Sequence, residues 1–231
     1  MIRLPIFLVF LLGSITCCFS QEDAVKVVDS LYKEDQFYAG VTYNLIGKKP
    51  DNLSQRGFSL GFHLGFIKDM PINKARNVAI GIGLGYSANS YNQNLLINKD
   101  DTNNFTYSII ENSNSYTKNK FSNHLIELPI EFRWRSSTPT DYNFWRIYTG
   151  FKFGYVLTHT TKYKGDLGSI NYSNNEDFNK LQYGLTMSAG YNTWNIYLYY
   201  GLNPIFSKEA QINASSIDMN AVKIGLMFYI L

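Results

Sequence analysis

The chain has 231 residues with a formal net charge of +3, 16% aromatic residues, and only two cysteines and six prolines. So even a charge balance gives no electrostatic case for nucleic acid as a partner. No apolar run beyond the N-terminus reaches the 18 or so residues of a membrane-spanning helix.

The first residues read as a secretory signal, assigned to 1–20. Arg3 supplies the positive start, Leu4 to Ile15 the apolar run, and Cys18-Phe19-Ser20 a small-residue cleavage region. Cleavage after Ser20 removes Arg3 and lowers the net charge from +3 to +2. Cys17 and Cys18 stand where a lipoprotein carries its lipidated cysteine, but Ser14-Ile15-Thr16 lacks the small residue expected just ahead of one. Unless one is lipidated, both leave with the signal, and no disulfide framework remains. Residues 21–35 read as a periplasmic N-terminal segment. Val25, Val28, Leu31 and Tyr32 recur there at helical spacing, as in a short helix or a loosely ordered leader.

From residue 36 the pattern is alternation with period 2, the mark of strands with two different faces. Eight segments carry it, and their bulky face can be read off in turn. Gln36–Leu45 presents Phe37, Val41 and Tyr43. Arg56–Ile67 presents Phe58, Leu60, Phe62, Leu64 and Phe66. Val78–Ser87 presents Ile80, Ile82, Leu84 and Tyr86. Phe121–Arg135 presents Ile126, Leu128, Ile130, Phe132 and Trp134. Phe144–Thr158 presents Trp145, Ile147, Phe151, Phe153 and Tyr155. Leu181–Asn192, Trp194–Asn203 and Asn220–Leu231 continue the series. Segments of about ten residues suit strands crossing a bilayer at a tilt.

Volume decides which face points out. The interior of an eight-stranded barrel is narrow, and a face with Phe, Leu, Trp or Tyr on every strand would overfill it. The opposite face is small. It carries Gly40, Gly57, Gly61, Gly65, Gly81, Gly83, Gly85, Gly150, Gly154, Gly184, Gly190, Gly201 and Gly225, thirteen of the 17 glycines. The expected fold is therefore all-β, an eight-stranded antiparallel transmembrane up-and-down barrel over 36–231. Its outer face meets the lipid of an outer membrane. The long connections, Ile46–Gln55, Asn92–Lys120, His159–Lys180 and Pro204–Met219, belong outside. The short ones, Lys68–Arg76, Ser136–Asn143 and the turn at Thr193, belong in the periplasm. Trp134, Trp145, Trp194 and Tyr191 form one aromatic girdle and Tyr43, Tyr86, Tyr91 and Tyr155 the other.

The inward face of two adjacent strands is charged. Glu127, Glu131 and Arg133, with Arg135, point in from the fourth strand, and Arg146 and Lys152 from the fifth. Lys223 points in from the last. Inward parity requires paired numbers in this hairpin to sum to an odd value. A sum of 277 opposes Glu131 to Arg146, and a sum of 279 opposes Glu127 to Lys152. Either register joins opposite charges, so the lumen is expected to hold a structural ion network, with a proton or ion path as the alternative. Catalysis fits poorly, since Glu127 and Glu131 lie roughly 13 Å apart along one strand, beyond the spacing of glycosidase carboxylates. Ser59 and His63 face inward, away from any lipid substrate. His124 and His159 sit at the upper rim without ligand spacing, so no metal, cofactor or catalytic set is assigned. In the second long loop, Phe105–Ile110 reads as a possible upward extension of the barrel hairpin that presents a binding surface.

Leu125-Ile126-Glu127-Leu128-Pro129-Ile130-Glu131-Phe132-Arg133 resembles the "LEIPLLLK" strand of the PorT-like outer-membrane barrels of Bacteroidetes. Tyr148–Tyr155, and the stretch from Tyr183-Gly184-Leu185 to Tyr200-Gly201-Leu202, resemble later strands of that family. The resemblance implies a non-enzymatic barrel that anchors or assists an envelope complex, with type IX protein secretion as the process and secretion-complex proteins as partners. It brings no catalytic residues. A small porin or loop-based surface binder is the alternative reading, and a lipid-modifying barrel enzyme the third.

Overall fold

The computed structural model describes residues 35–112, 115–136 and 144–230. The expected signal (1–20) and nearly all of the expected periplasmic segment (21–35) lie outside the described residues. In chain order the strands are β1 (Gln36–Gly47), β2 (Leu60–Pro71), β3 (Val78–Asn92), β4 (Leu95–Lys99), β5 (Phe105–Ile109), β6 (Tyr116–Arg135), β7 (Trp145–Gly165), β8 (Gly168–Ser173), β9 (Leu181–Tyr191), β10 (Trp194–Gly201), β11 (Gln211–Ile212), β12 (Ser215–Ser216) and β13 (Asn220–Ile230).

Eight of these close a barrel in the order β1-β2-β3-β6-β7-β9-β10-β13. Every neighbouring pair is antiparallel, and β1 pairs with β13 to complete the ring. Closure leaves the barrel no free edge. The other five strands decorate the long connections at one end, which on the loop-length rule is the extracellular end.

Alternation sets the two faces. Along β6, Ile126, Leu128, Ile130, Phe132 and Trp134 are exposed outward, while Glu127, Glu131, Arg133 and Arg135 are buried inward. Trp134, Trp145, Trp194 and Tyr191 lie outward near the short turns. Tyr43 and Tyr155 are outward toward the other end. Tyr91 does not join that girdle. It is an odd-numbered residue of β3, so its ring points inward, where it stacks on Phe121 at 4.9 Å and is fully buried.

The second predicted strand is displaced. β2 starts at Leu60, four residues late, and runs on to Pro71. Gly57 adopts a positive φ of 77°, so the chain turns there, and Gly57 and Phe58 lie outside the strand. The extension puts Asp69 on the inward face, where the sequence reading had placed a turn. Pro129 sits inside β6, where it cannot donate to a ladder. The β3–β6 pairing skips the positions opposite Leu128 and Pro129. Gly83 fits that gap, since a Cβ there would lie 3.1 Å from the proline ring and closer still to Ile67 and the Phe66 carbonyl.

One irregularity matters outside the barrel proper. Between His124 and Leu125 the β6–β7 register slips by one, with His124 opposite Thr158 and Leu125 opposite Val156. Such a bulge reverses which residues of the longer strand face out. On β7 the outward residues are odd-numbered up to Leu157 and even-numbered from Thr158 onward.

Candidate functional site

The barrel interior is filled by two polar clusters with a layer of aromatic rings between them. The first centres on Glu127, which is 2% exposed. One carboxylate oxygen accepts from Ser87 Oγ at 2.7 Å. Lys152 Nζ lies 3.0 Å and His63 Nδ1 3.6 Å from the other oxygen, while Lys223 Nζ lies 3.9 Å from the oxygen that Ser87 meets. His63 Nε2 is 3.0 Å from the Thr42 hydroxyl, which donates to Asn44 Oδ1. Asn44 reaches Asn89, and Asn89 donates to Ser87. The contacts thus close a ring through β1, β2, β3 and β6. Ser59 is no part of it; its hydroxyl accepts from the Asn92 backbone amide.

The second cluster lies toward the periplasmic end. Arg133 meets Asp69 at 3.1 Å and Glu131 at 3.2 Å, and donates to Gln36 at 2.7 Å. Arg135 meets the other Asp69 oxygen at 2.8 Å and donates to the Arg76 carbonyl. The Arg133 guanidinium lies over the Tyr148 ring, 4.3 Å from its centroid. Buried charges persist only when paired and hydrogen-bonded, and here two carboxylates face two guanidiniums.

Between the clusters, Tyr38, Tyr197 and Tyr229 pack with Lys152, whose ammonium is 4.9 Å from the Tyr197 centroid. The void they leave has no room for a water-sized sphere. Glycines make this filling possible. A Cβ on Gly81 would lie 2.8 Å from Arg133 Cδ, and one on Gly85 would collide with the Tyr38 hydroxyl.

The structure corrects both predicted registers. Glu131 stands opposite Gly150, Glu127 opposite Gly154, and Arg135 opposite Arg146, a sum of 281. The parity argument holds, but the hairpin is longer than either choice allowed. Glu127 still meets Lys152, diagonally rather than directly across. Arg146 is not brought to Glu131. Its guanidinium lies over Phe144 at 4.5 Å, and its Nε and Nη1 have no hydrogen-bond partner among the described residues. Six members went unassigned in the sequence: Asp69 and Gln36 of the second cluster, and Thr42, Asn44, Asn89 and the donor Ser87 of the first. Continuing the alternation Gly61, His63, Gly65, Ile67 by one step would have found Asp69.

A second core closes the extracellular end. Leu53, Leu95, Ile97, Tyr107, Phe178, Ile205, Phe206 and Ile217, drawn from all four long connections, are buried against Tyr91 and Phe121 of the barrel. Phe206 packs on Phe178, Phe121 and Tyr107 with centroids 4.3, 5.7 and 5.7 Å away. Tyr107 donates to Asp177 at 2.7 Å and accepts from Asn175 at 2.8 Å. Burial first, then the Asp177 carboxylate, holds its hydroxyl well above the usual tyrosine range. His159 Nε2 donates to the Asn175 carbonyl at 2.7 Å, and its ring stacks on Phe178. Phe105–Ile109 therefore does not extend the barrel hairpin. It pairs with Leu95–Lys99 as a separate hairpin, and the strands that do reach upward are β6 and β7.

A family model described as "Outer membrane protein beta-barrel domain" matches residues 19–207. The chain belongs to that family. This outer-membrane barrel is also similar to a solved structure, the attachment invasion locus protein Ail of Yersinia pestis. The identity is 11%, the match covers 86% of this chain and 99% of that one, and the TM-score is 0.38. No curated protein sequence matches this barrel. Family membership places it in the outer membrane, in keeping with its exposed apolar band.

Proposed function

We propose that this barrel is a non-enzymatic anchor or accessory of an envelope complex, with type IX protein secretion as the process. The observation that carries the reading is the filled lumen. Ion clusters and tyrosines occupy the interior, and the loop core covers one mouth, so what the molecule offers to partners is surface. The resemblance of Leu125–Arg133 to the PorT-like strand supplies the choice of process. The filled lumen argues against a small porin. A surface-binding role through the loops is the second reading. It is favoured by a cleft of ≈ 560 Å³ on the cap, lined among others by Lys48, Asp51, Tyr107, Glu111 and Ile212.

Deleting the gene tests the process. Loss of type IX cargo from the medium, restored by the full-length chain, supports the proposal; unchanged export of that cargo removes it. Planar-bilayer recording tests the mode of action. The purified barrel is expected to give no stable conductance, and large, long-lived channels would overturn the plugged-barrel reading.

A further inference from the structure

The bulge at Leu157 has a consequence on the outer surface. Above it, Lys120 stands directly opposite Lys162, and Lys118 opposite Lys164, all four on the outward face. Like charges facing each other across a strand pair are destabilising. The flanking strands bring no carboxylate to offset them: Asn92 of β3 is opposite Lys120, and Asn171 and Ser169 of β8 are opposite Lys162 and Lys164. None of the four lysines has an ion pair among the described residues.

Two grooves meet at this ladder. The upper one, ≈ 480 Å³, is lined by Arg56, Lys118 and Lys120 together with Phe58, a residue 83% exposed. The lower one, ≈ 310 Å³, shares Phe58, Asn92 and Lys120 with it and runs past Ser122 and His124 to Leu60 and Phe62. Together they form one path, basic at the top and apolar at the bottom. Within it the Ser90 hydroxyl is buried with no hydrogen-bond partner among the described residues.

The height fits a lipid headgroup. Leu157 is the last large apolar outward residue of β7, level with His124. Lys120 lies four residues above His124, about 13 Å along the strand and roughly 10 Å in height after a tilt near 40°. A lysine stem spans most of that distance back toward the bilayer.

We propose that this groove binds a phosphate-bearing lipid of the outer leaflet, its acyl chain along Leu60 and Phe62 and its phosphate against Arg56, Lys118 and Lys120. The facing lysines then have their counter-ion in the membrane rather than in the protein. This explains why the ladder sits outside the barrel wall instead of in the lumen, where the cations have carboxylates of their own.

The test is titration of the refolded barrel in zwitterionic micelles with diphosphoryl lipid A, read by native mass spectrometry and by thermal unfolding. Wild type is expected to bind saturably, more weakly as salt rises, and to melt higher with the lipid. K118Q/K120Q should raise the apparent Kd at least tenfold. Without lipid it should melt no lower than wild type, because a repulsion has been removed. K162Q/K164Q, on the neighbouring strand, should weaken binding in the same direction and serves if the first variant does not refold. Equal binding of dephosphorylated lipid A, or wild-type affinity in the folded variants, overturns the proposal. Complete displacement of the lipid by millimolar inorganic phosphate would also overturn it, by showing free phosphate to be the ligand.

Discussion

Replacing Glu127 by Gln keeps the shape of the side chain and its acceptor for Ser87 but removes the one carboxylate that pairs with Lys152 and Lys223 among the described residues. At an effective dielectric constant near 20, a unit charge 3.0 Å away attracts by roughly 5 kcal/mol and one at 3.9 Å by roughly 4. The cost of taking the ions out of solvent offsets most of that. The measurable quantity is the loss when one partner goes, about 3–5 kcal/mol for a fully buried pair. Contacts with Tyr197 and Tyr199 leave each ammonium about 1 kcal/mol of cation–π attraction, which places the expected loss near the lower bound. Urea unfolding in lipid vesicles, followed by tryptophan fluorescence and by the mobility of unheated samples on gels, reads it directly. E127Q/K152M should recover about 1–2 kcal/mol of the loss, since one of the two orphaned cations is then gone. A single variant within 0.5 kcal/mol of wild type, or a double variant no better than the single, refutes the claim that this cluster is a buried, charge-paired plug.

Three further outcomes are expected. Phe206→Ala should cost about 3–5 kcal/mol, taken from the cap alone; proteolysis of the loops should speed up while gel mobility and the absence of conductance stay as in wild type, and a new channel would show that the cap, not the lumen, closes the barrel. Gly85→Ala should destabilise by about 1–3 kcal/mol, because its Cβ meets the Tyr38 hydroxyl and the Leu64 carbonyl; urea midpoints equal to wild type would mean that Tyr38 is not seated there. At the β4–β5 turn, hydrogen bonds from Thr102 and Asn104 hold the Asp100 carboxyl below its usual value of 3.8. The folded pKa is depressed, so this stabilisation is present above pH 4 and fades only as the pH falls through the lowered value; amide exchange at Asn104 should stay slow across the ordinary carboxylate range, and loss of protection already above pH 5 would contradict it.

Most of the barrel was readable because each strand separates two unlike solvents. Lipid on one side and a narrow interior on the other force bulky and small residues to alternate, and this pattern survives in every strand without knowledge of its neighbours. The misreadings fall where that constraint lapses. Phe58 continues the alternation of Leu60 and Phe62, but Gly57 turns the chain and leaves Phe58 on a loop. Asp69 was read as a turn residue because a charge at a strand end looks like the start of a loop, although its parity pointed inward. The register of β6 on β7 depends on where the hairpin begins, which alternation leaves open to steps of two. The lumen charges were therefore correctly faced yet wrongly matched, and Arg146 was assigned a partner it does not meet.

The cap was the least legible part, and the reason bears on how the molecule works. Its core is assembled from single apolar residues scattered over four polar loops: Leu53, Tyr107, Phe178 and Phe206, with no period to mark them. Long loops rich in Asn, Ser and Lys suggest a solvated, adaptable surface. Here they instead bury a contiguous cluster over the barrel mouth, so the extracellular end is a fixed shape with little ordering left to do on binding. A surface held rigid in that way loses less entropy when a partner docks. Filled below and packed above, the barrel presents its outer wall, its upper grooves and its cap as firm surfaces. On that wall the lysines of β6 and β7 face one another across the strand pair, with no carboxylate counterpart among the described residues.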